Sequence, residues 1–237
     1  MKKVAIMQPY FMPYLGYVSL IKHTDEFILL DTVQFIRHGW IERNRILKQG
    51  GDWLYIKVPI TYASRETSIK DVLVNNSENW QEKMKAQLQI YKKVAPYYND
   101  VMQVLHPFFE RDFKTITEVN KYTLEAVCSY LDINTPIRVF SEMNLSIKPV
   151  SAPDEWALRI CQAMPGVDEY WNPPGGQAFF DKKKYTAAGI ELKFQEIELG
   201  RYNQRETEFI PGLSIIDVMM FNSCEEVNSM LDKYKVE

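Results

Sequence analysis

The sequence predicts an α/β protein whose parallel sheet is interrupted by a helical insertion. Three observations carry that prediction. The chain opens on an apolar run at residues 4–7, a helical pattern over 14–24 and a second apolar run at 27–30, which together read as a βαβ unit. Strand–helix alternation returns between residues 136 and 199. The stretch between, 77–132, shows helical spacing and no strand pattern. Alternation at both ends argues for one sheet. Residues 1–76 and 133–237 are expected to form the α/β core, and 77–132 a helical insertion or cap packed over it.

Each element follows from its local pattern. Pro13 is tolerated in the first turn of a helix because its missing N–H has no partner there anyway. Residues 46–60 carry two β-rich runs around Gly50-Gly51-Asp52, the mark of a hairpin. Residues 61–68 read as a polar loop, solvated or acting as a lid through Arg65, Glu66 and Thr67, and 72–74 as a short apolar run. Ser77 suits a helix N-cap, and Trp80, Met84, Leu88 and Tyr91 then mark one helical face. Helices are expected over 97–111 and 115–131, then a strand at 136–140, a helix at 152–164 and a short strand at 169–171. A helix over 181–188 ends at Gly189, followed by an alternating strand at 191–199. Ser214 is read as the cap of a helix whose first turn favours Asp217, and a last helix spans 224–234.

Composition narrows the function classes. The chain has 237 residues, 46% hydrophobic, enough for a sizeable core. A net charge of −3 argues against a nucleic-acid or anionic-membrane surface. Cys128, Cys161 and Cys224 are widely spaced and odd in number, with neither disulfide nor metal-ligand logic, which fits a reducing compartment. The first apolar run is too short for a signal peptide, and no segment approaches a membrane span. A cytoplasmic protein is expected, with homo-oligomerisation left open.

The candidate site lies in the loops at the carboxyl edge of the sheet, where α/β proteins bind ligands. The segment after the first strand holds Gln8 and leads to Tyr14, Gly16 and Tyr17 at a helix start, where free N–H groups favour anions. The segment after the second strand holds Asp31, Gln34, Arg37, His38, Trp40, Arg43, Asn44 and Arg45. Arginine offers a fixed fork of donors for phosphate or carboxylate, and His38 is the best-placed acid–base candidate. Asn172-Pro173-Pro174-Gly175-Gly176 reads as a strand, turn and helix start able to cradle an anion through Gly175 and Gly176. The dense loop at 200–212 could add Arg201, Tyr202, Arg205 and Glu208. There is no nucleophile elbow, CxxC, HExxH or kinase motif.

Gln8-Pro9-Tyr10, Pro13-Tyr14, Gly16-Tyr17, Asp31-Thr32-Val33-Gln34-Phe35, Gly39-Trp40 and Arg43-Asn44-Arg45-Ile46 resemble the N-terminal signature of the WbqC-like proteins, which are encoded largely in bacterial surface-polysaccharide (O-antigen) gene clusters. The resemblance continues at 170–180 and 213–222. The usual family pattern has Asp-Asp-Val-Gln where this chain has Asp31-Thr32-Val33-Gln34, which argues against a metal site of paired carboxylates. Tyr14-Leu15-Gly16-Tyr17 is also similar in spacing to the His-x-Gly-His element of nucleotidylyltransferases and pantothenate synthetases. Tyrosine can donate to phosphate but carries no positive charge. The resemblance implies a nucleotide-binding-like core, Rossmann-like or HUP-like.

The expected function is a nucleotide-dependent transferase or ligase of surface-polysaccharide biosynthesis. Its concrete version is amide-forming acyl or aminoacyl transfer to an amino-sugar. His38, Arg43 and Asp31 are the catalytic candidates. Gln8, Tyr14, Gly16, Tyr17, Gln34, Arg37, Asn44, Arg45, Gly175 and Gly176 are the binding candidates. The cofactor would be ATP or a nucleotide-sugar, with Mg2+ an option and no protein metal site. The alternative is a non-catalytic protein that binds a nucleotide-sugar or a partner of the same pathway.

Overall fold

The computed structural model describes residues 1–48, 50–64, 66–205 and 208–237. Its centre is a six-stranded sheet of β1 (Lys2–Met7), β2 (Glu26–Leu29), β5 (Ile137–Val139), β6 (Val167–Asn172), β7 (Glu191–Ile197) and β8 (Tyr234–Val236). The spatial order is β5-β2-β1-β6-β7-β8. All pairs are parallel except β7 with β8. The edge strand β8 falls in what the sequence suggests is the end of a helix. Helix α8 (Cys224–Leu231) stops short, and the last residues pair instead with the free edge of β7.

The sheet is covered on both faces. Ala5, Phe27 and Leu29 point into one core with α1 (Leu15–Lys22), α4 (Ile116–Tyr130), α7 (Ile215–Phe221) and α8. Val4, Ile6 and Ile28 point into the other, against α5 (Glu155–Ala163) and α6 (Lys182–Ala187). Burial on both sides explains why the central strands read as unbroken apolar runs rather than alternating ones.

Between β2 and β5 lie an antiparallel hairpin, β3 (Arg43–Lys48) and β4 (Asp52–Lys57), and the helices α2 (Trp80–Leu88), α3 (Tyr98–Phe109) and α4. Their apolar faces share the first core with the sheet. The Tyr91 hydroxyl accepts from the Leu47 amide at 3.0 Å and donates to Asp217. The Tyr97 amide donates to Met220 O at 3.2 Å.

Two local readings change. Arg43, Asn44 and Arg45 lie on β3, not in the loop before it, because cross-strand pairing with Lys57, Ile56 and Tyr55 extends the hairpin towards the site. Ser77 does not cap α2: its hydroxyl donates to Asn75 Oδ1 at 2.6 Å in a preceding turn, and the helix begins at Trp80. Ser214 caps α7 (Ile215–Phe221) with Asp217 in its first turn, as expected, and Asp217 is fully buried, accepting from Tyr91, Tyr202 and Gln204. Thr115 and Ser223, by contrast, begin α4 and α8 with complete capping boxes.

Candidate cleft at the sheet switch point

The chain leaves β1 towards β2, while β6 adds on the other side of β1. Loops at this switch point diverge and open a crevice beyond the carboxyl ends of the strands. Two adjoining cavities occupy it. The first, of about 520 Å3, is lined by Tyr10, Tyr14, Trp40, Arg45, Asn172 and Gly175, among others. The second, of about 650 Å3, shares Met7, Tyr10 and Asn172 with it.

The first cavity depends on how the loop after β1 is held. Buried Asn44 donates from Nδ2 to Phe11 O and Met12 O, both at 3.0 Å, and its Oδ1 accepts from the Arg45 amide at 2.8 Å. Asn120, also buried, donates to Pro9 O at 2.8 Å and Ile41 O at 2.9 Å. Ser214 donates from its hydroxyl to Met12 O at 2.7 Å, and the Ile215 amide donates to Pro13 O at 2.7 Å. A turn that exposes its carbonyls cannot pair within itself, so neighbouring elements satisfy them.

Arg45 is the charged group of this cavity. Its guanidinium lies 5.4 Å from the Trp40 ring centre and 5.3 Å from that of Trp53, and Nη2 reaches Gly212 O at 3.4 Å. Among the described residues no carboxylate pairs with it, and its buried Nε has no hydrogen-bond partner. A guanidinium held by aromatic faces and left without an anion is suited to bind one. Burial raises the pKa of the Tyr10 and Tyr14 hydroxyls, which therefore stay protonated and can donate.

The expected site residues separate into groups. Tyr14, Asn44, Arg45, Gly175 and Gly176 line the first cavity, and Gln8 and Gln34 the second. Gly16 and Tyr17 are buried beneath the loop. A Cβ on Gly16 would come within 2.6 Å of the Tyr14 ring and 2.7 Å of Ile197, so the close approach there is made by this chain's own side chains. Tyr17 donates to Gln8 O at 2.8 Å. Asp31 is buried and accepts from the Ser141 amide at 3.1 Å and hydroxyl at 2.6 Å, tying the end of β2 to the segment after β5; burial outweighs these bonds and raises its pKa. Exposed Arg37 lies 5.3 Å from the Tyr62 ring centre. His38 is exposed at a φ of 60°, with its amide on Glu42 Oε1 at 2.6 Å and its carbonyl accepting from Arg43. Arg43 stacks on Tyr55 at 4.1 Å and faces a groove of Lys57, Trp80 and Gln87. Asp31, Arg37, His38 and Arg43 thus line neither cavity of the crevice. Arg65 lies outside the described residues.

Sequence reasoning gave no binding role to Tyr10, Trp40 or Asn172, nor to Trp156, Phe179 and Phe180 of the second cavity. The first three stand inside motifs it had marked. The last three have no local signal, since aromatic residues near a helix usually mean core. Among the described residues no cluster of three His, Cys, Asp or Glu could hold a metal ion, and no helix is long and apolar enough to cross a membrane.

The fold and cleft define an α/β protein with a Rossmann-like sheet and a ligand-sized crevice at its switch point. The chain belongs to the WbqC-like protein family, whose profile matches residues 8–229. It is 29% identical over 226 residues, covering 94% of each chain, to the curated "Uncharacterized protein Rv1507c" of Mycobacterium tuberculosis. No solved structure matches it.

Proposed function

We propose that this chain is a nucleotide-dependent transferase or ligase of surface-polysaccharide biosynthesis, holding a nucleotide or nucleotide-sugar in the first cavity. The observation that carries this reading is Arg45: a guanidinium without a carboxylate among the described residues, braced by Trp40 and Trp53, on a cleft at the switch point of a parallel sheet. Phosphate oxygens suit the guanidinium and the adjoining Gly175–Gly176 turn, and the rings of Tyr10 and Tyr14 suit a flat base. The pathway part rests on the family resemblance. Any Mg2+ would be held mainly by the nucleotide's phosphates.

In the amide-forming version, a carboxylate attacks the α-phosphorus of ATP and pyrophosphate leaves. An amine then attacks the acyl carbon, AMP leaves, and the amine proton passes to water. Positioning and charge stabilisation are the protein's contribution. The second reading, a non-catalytic nucleotide-sugar binder, is favoured by one observation: His38 and Arg43 line neither cavity.

Thermal unfolding against a panel of nucleotides and nucleotide-sugars, with and without Mg2+, tests the proposal. A ligand at a hundredfold excess over Kd stabilises by about 2.7 kcal/mol. Arg45→Gln should abolish the shift and Arg43→Gln should retain it. No shift with any nucleotide or nucleotide-sugar would overturn the proposal. Binding without product in a mass-spectrometric screen of acids and amino-sugars would favour the non-catalytic reading.

A further inference from the structure

The second cavity differs from the first in chemistry. Its described lining contains no lysine, arginine or histidine and one carboxylate, exposed Glu66. Gln8, Gln34 and Thr32 line it, and the buried Thr32 hydroxyl behind the wall has no hydrogen-bond partner. Its apolar walls are aromatic: Trp156, Phe180 and Phe179, the last 52% exposed. Phe179 and Phe180 stand edge to face at 5.2 Å, so they offer differently oriented surfaces.

We propose that this cavity is an acceptor subsite for an amino-sugar: a polyhydroxylated ring bearing a free amine. The C–H face of a sugar ring packs on aromatic surfaces, while its hydroxyls both donate and accept, as side-chain amides do. A purely apolar ligand would strip water from the Gln8 and Gln34 amides without replacing it, which costs affinity. Glu66 disfavours an anion and pairs with an ammonium group. The volume lies in the range of about 300–1,000 Å3 typical of small-molecule sites. The shared wall of Met7, Tyr10 and Asn172 would bring this ligand against one held by Arg45. Asn172 is itself fixed, its Nδ2 donating to Pro173 O at 3.1 Å and its Oδ1 lying 3.1 Å from the Tyr170 hydroxyl.

The acceptor role rests on the proposed function; the binding of an amino-sugar does not. The test is saturation-transfer NMR and calorimetry on the full chain, with glucosamine, galactosamine and mannosamine as probes and ATP and UDP titrated separately. At least one hexosamine should bind saturably, and its N-acetyl derivative at least tenfold more weakly. Glu66→Gln and Trp156→Leu should each weaken the hexosamine at least tenfold and leave ATP or UDP affinity within twofold. Arg45→Gln should do the reverse. Glu66 is exposed, so its variant should fold even if Trp156→Leu does not. No saturable hexosamine binding, or binding indifferent to both Glu66→Gln and Trp156→Leu, overturns the subsite. Hexosamine binding with no nucleotide binding refutes the proposed function and leaves the subsite standing.

Discussion

Replacing Asn44 with alanine should destabilise the protein by about 3 kcal/mol. Asn44 holds the loop after β1 through hydrogen bonds to Phe11 O, Met12 O and the Arg45 amide. Met12 O also accepts from the Ser214 hydroxyl, so truncation leaves only Phe11 O and the Arg45 amide without those partners. Stranding a buried polar group costs about 1–3 kcal/mol, giving roughly 2–6 kcal/mol for two. Urea unfolding followed by circular dichroism measures this. For a chain of this size about 3 kcal/mol corresponds to a fall in Tm of roughly 6–12 °C. A second measurement isolates the cause. Asn44 and Ser214 back each other up on Met12 O, so Asn44→Ala with Ser214→Ala should cost about 1 kcal/mol more than the sum of the single changes. A single-variant loss below about 1 kcal/mol, or additivity within about 0.3 kcal/mol, would refute the claim that these side chains hold the loop.

Gly176→Ala should destabilise by about 1–3 kcal/mol, because its Cβ would lie 2.4 Å from Asn172 Nδ2 and 2.9 Å from Phe180, whereas Gly175→Ala, with nothing within 4 Å, should stay within about 0.5 kcal/mol; paired denaturant titrations check this. Burial raises the Asp217 pKa despite three hydrogen bonds, so the folded state holds its proton to higher pH than the unfolded chain. Its contribution to stability is therefore full below the unfolded value of about 3.9 and is lost as pH rises through the raised folded value. Asp217→Asn should flatten that part of the stability–pH curve, with Asp31 supplying what remains in the same sense; an unchanged curve would count against it. Thr115→Ala removes half of the α4 capping box and should cost about 1 kcal/mol, read by the same unfolding assay.

The βαβ opening, the return of strand–helix alternation after residue 136 and the helical character of α2 to α4 were legible because each depends on neighbours within one element. Apolar runs such as residues 4–7 and capping pairs such as Thr115 with Glu118 act over a few residues. The placement of ligand loops at the carboxyl edge followed from the same pattern, and it located Gln8, Tyr14, Asn44, Arg45, Gly175 and Gly176 in the crevice. What remained hidden depends on partners far along the chain. Arg43 and Arg45 look equivalent in sequence, yet two residues along β3 separate a groove beside Lys57 from the crevice. Asp31 reads as a site carboxylate until Ser141 ties it down, and the helix position of Asp217 does not reveal that Tyr91 and Tyr202 bury it. Trp156 and Phe180 become cavity walls only because α5 and the turn after β6 flank the same switch point. The sequence by itself determined most of the elements and which edge carries the loops, since local propensity and apolar periodicity decide both, while β8 formed only because the free edge of β7 was there to pair with. Which polar side chains face a ligand and which are committed to holding the loops was decided by tertiary structure, since each donor and acceptor is assigned by whichever distant group can bury it.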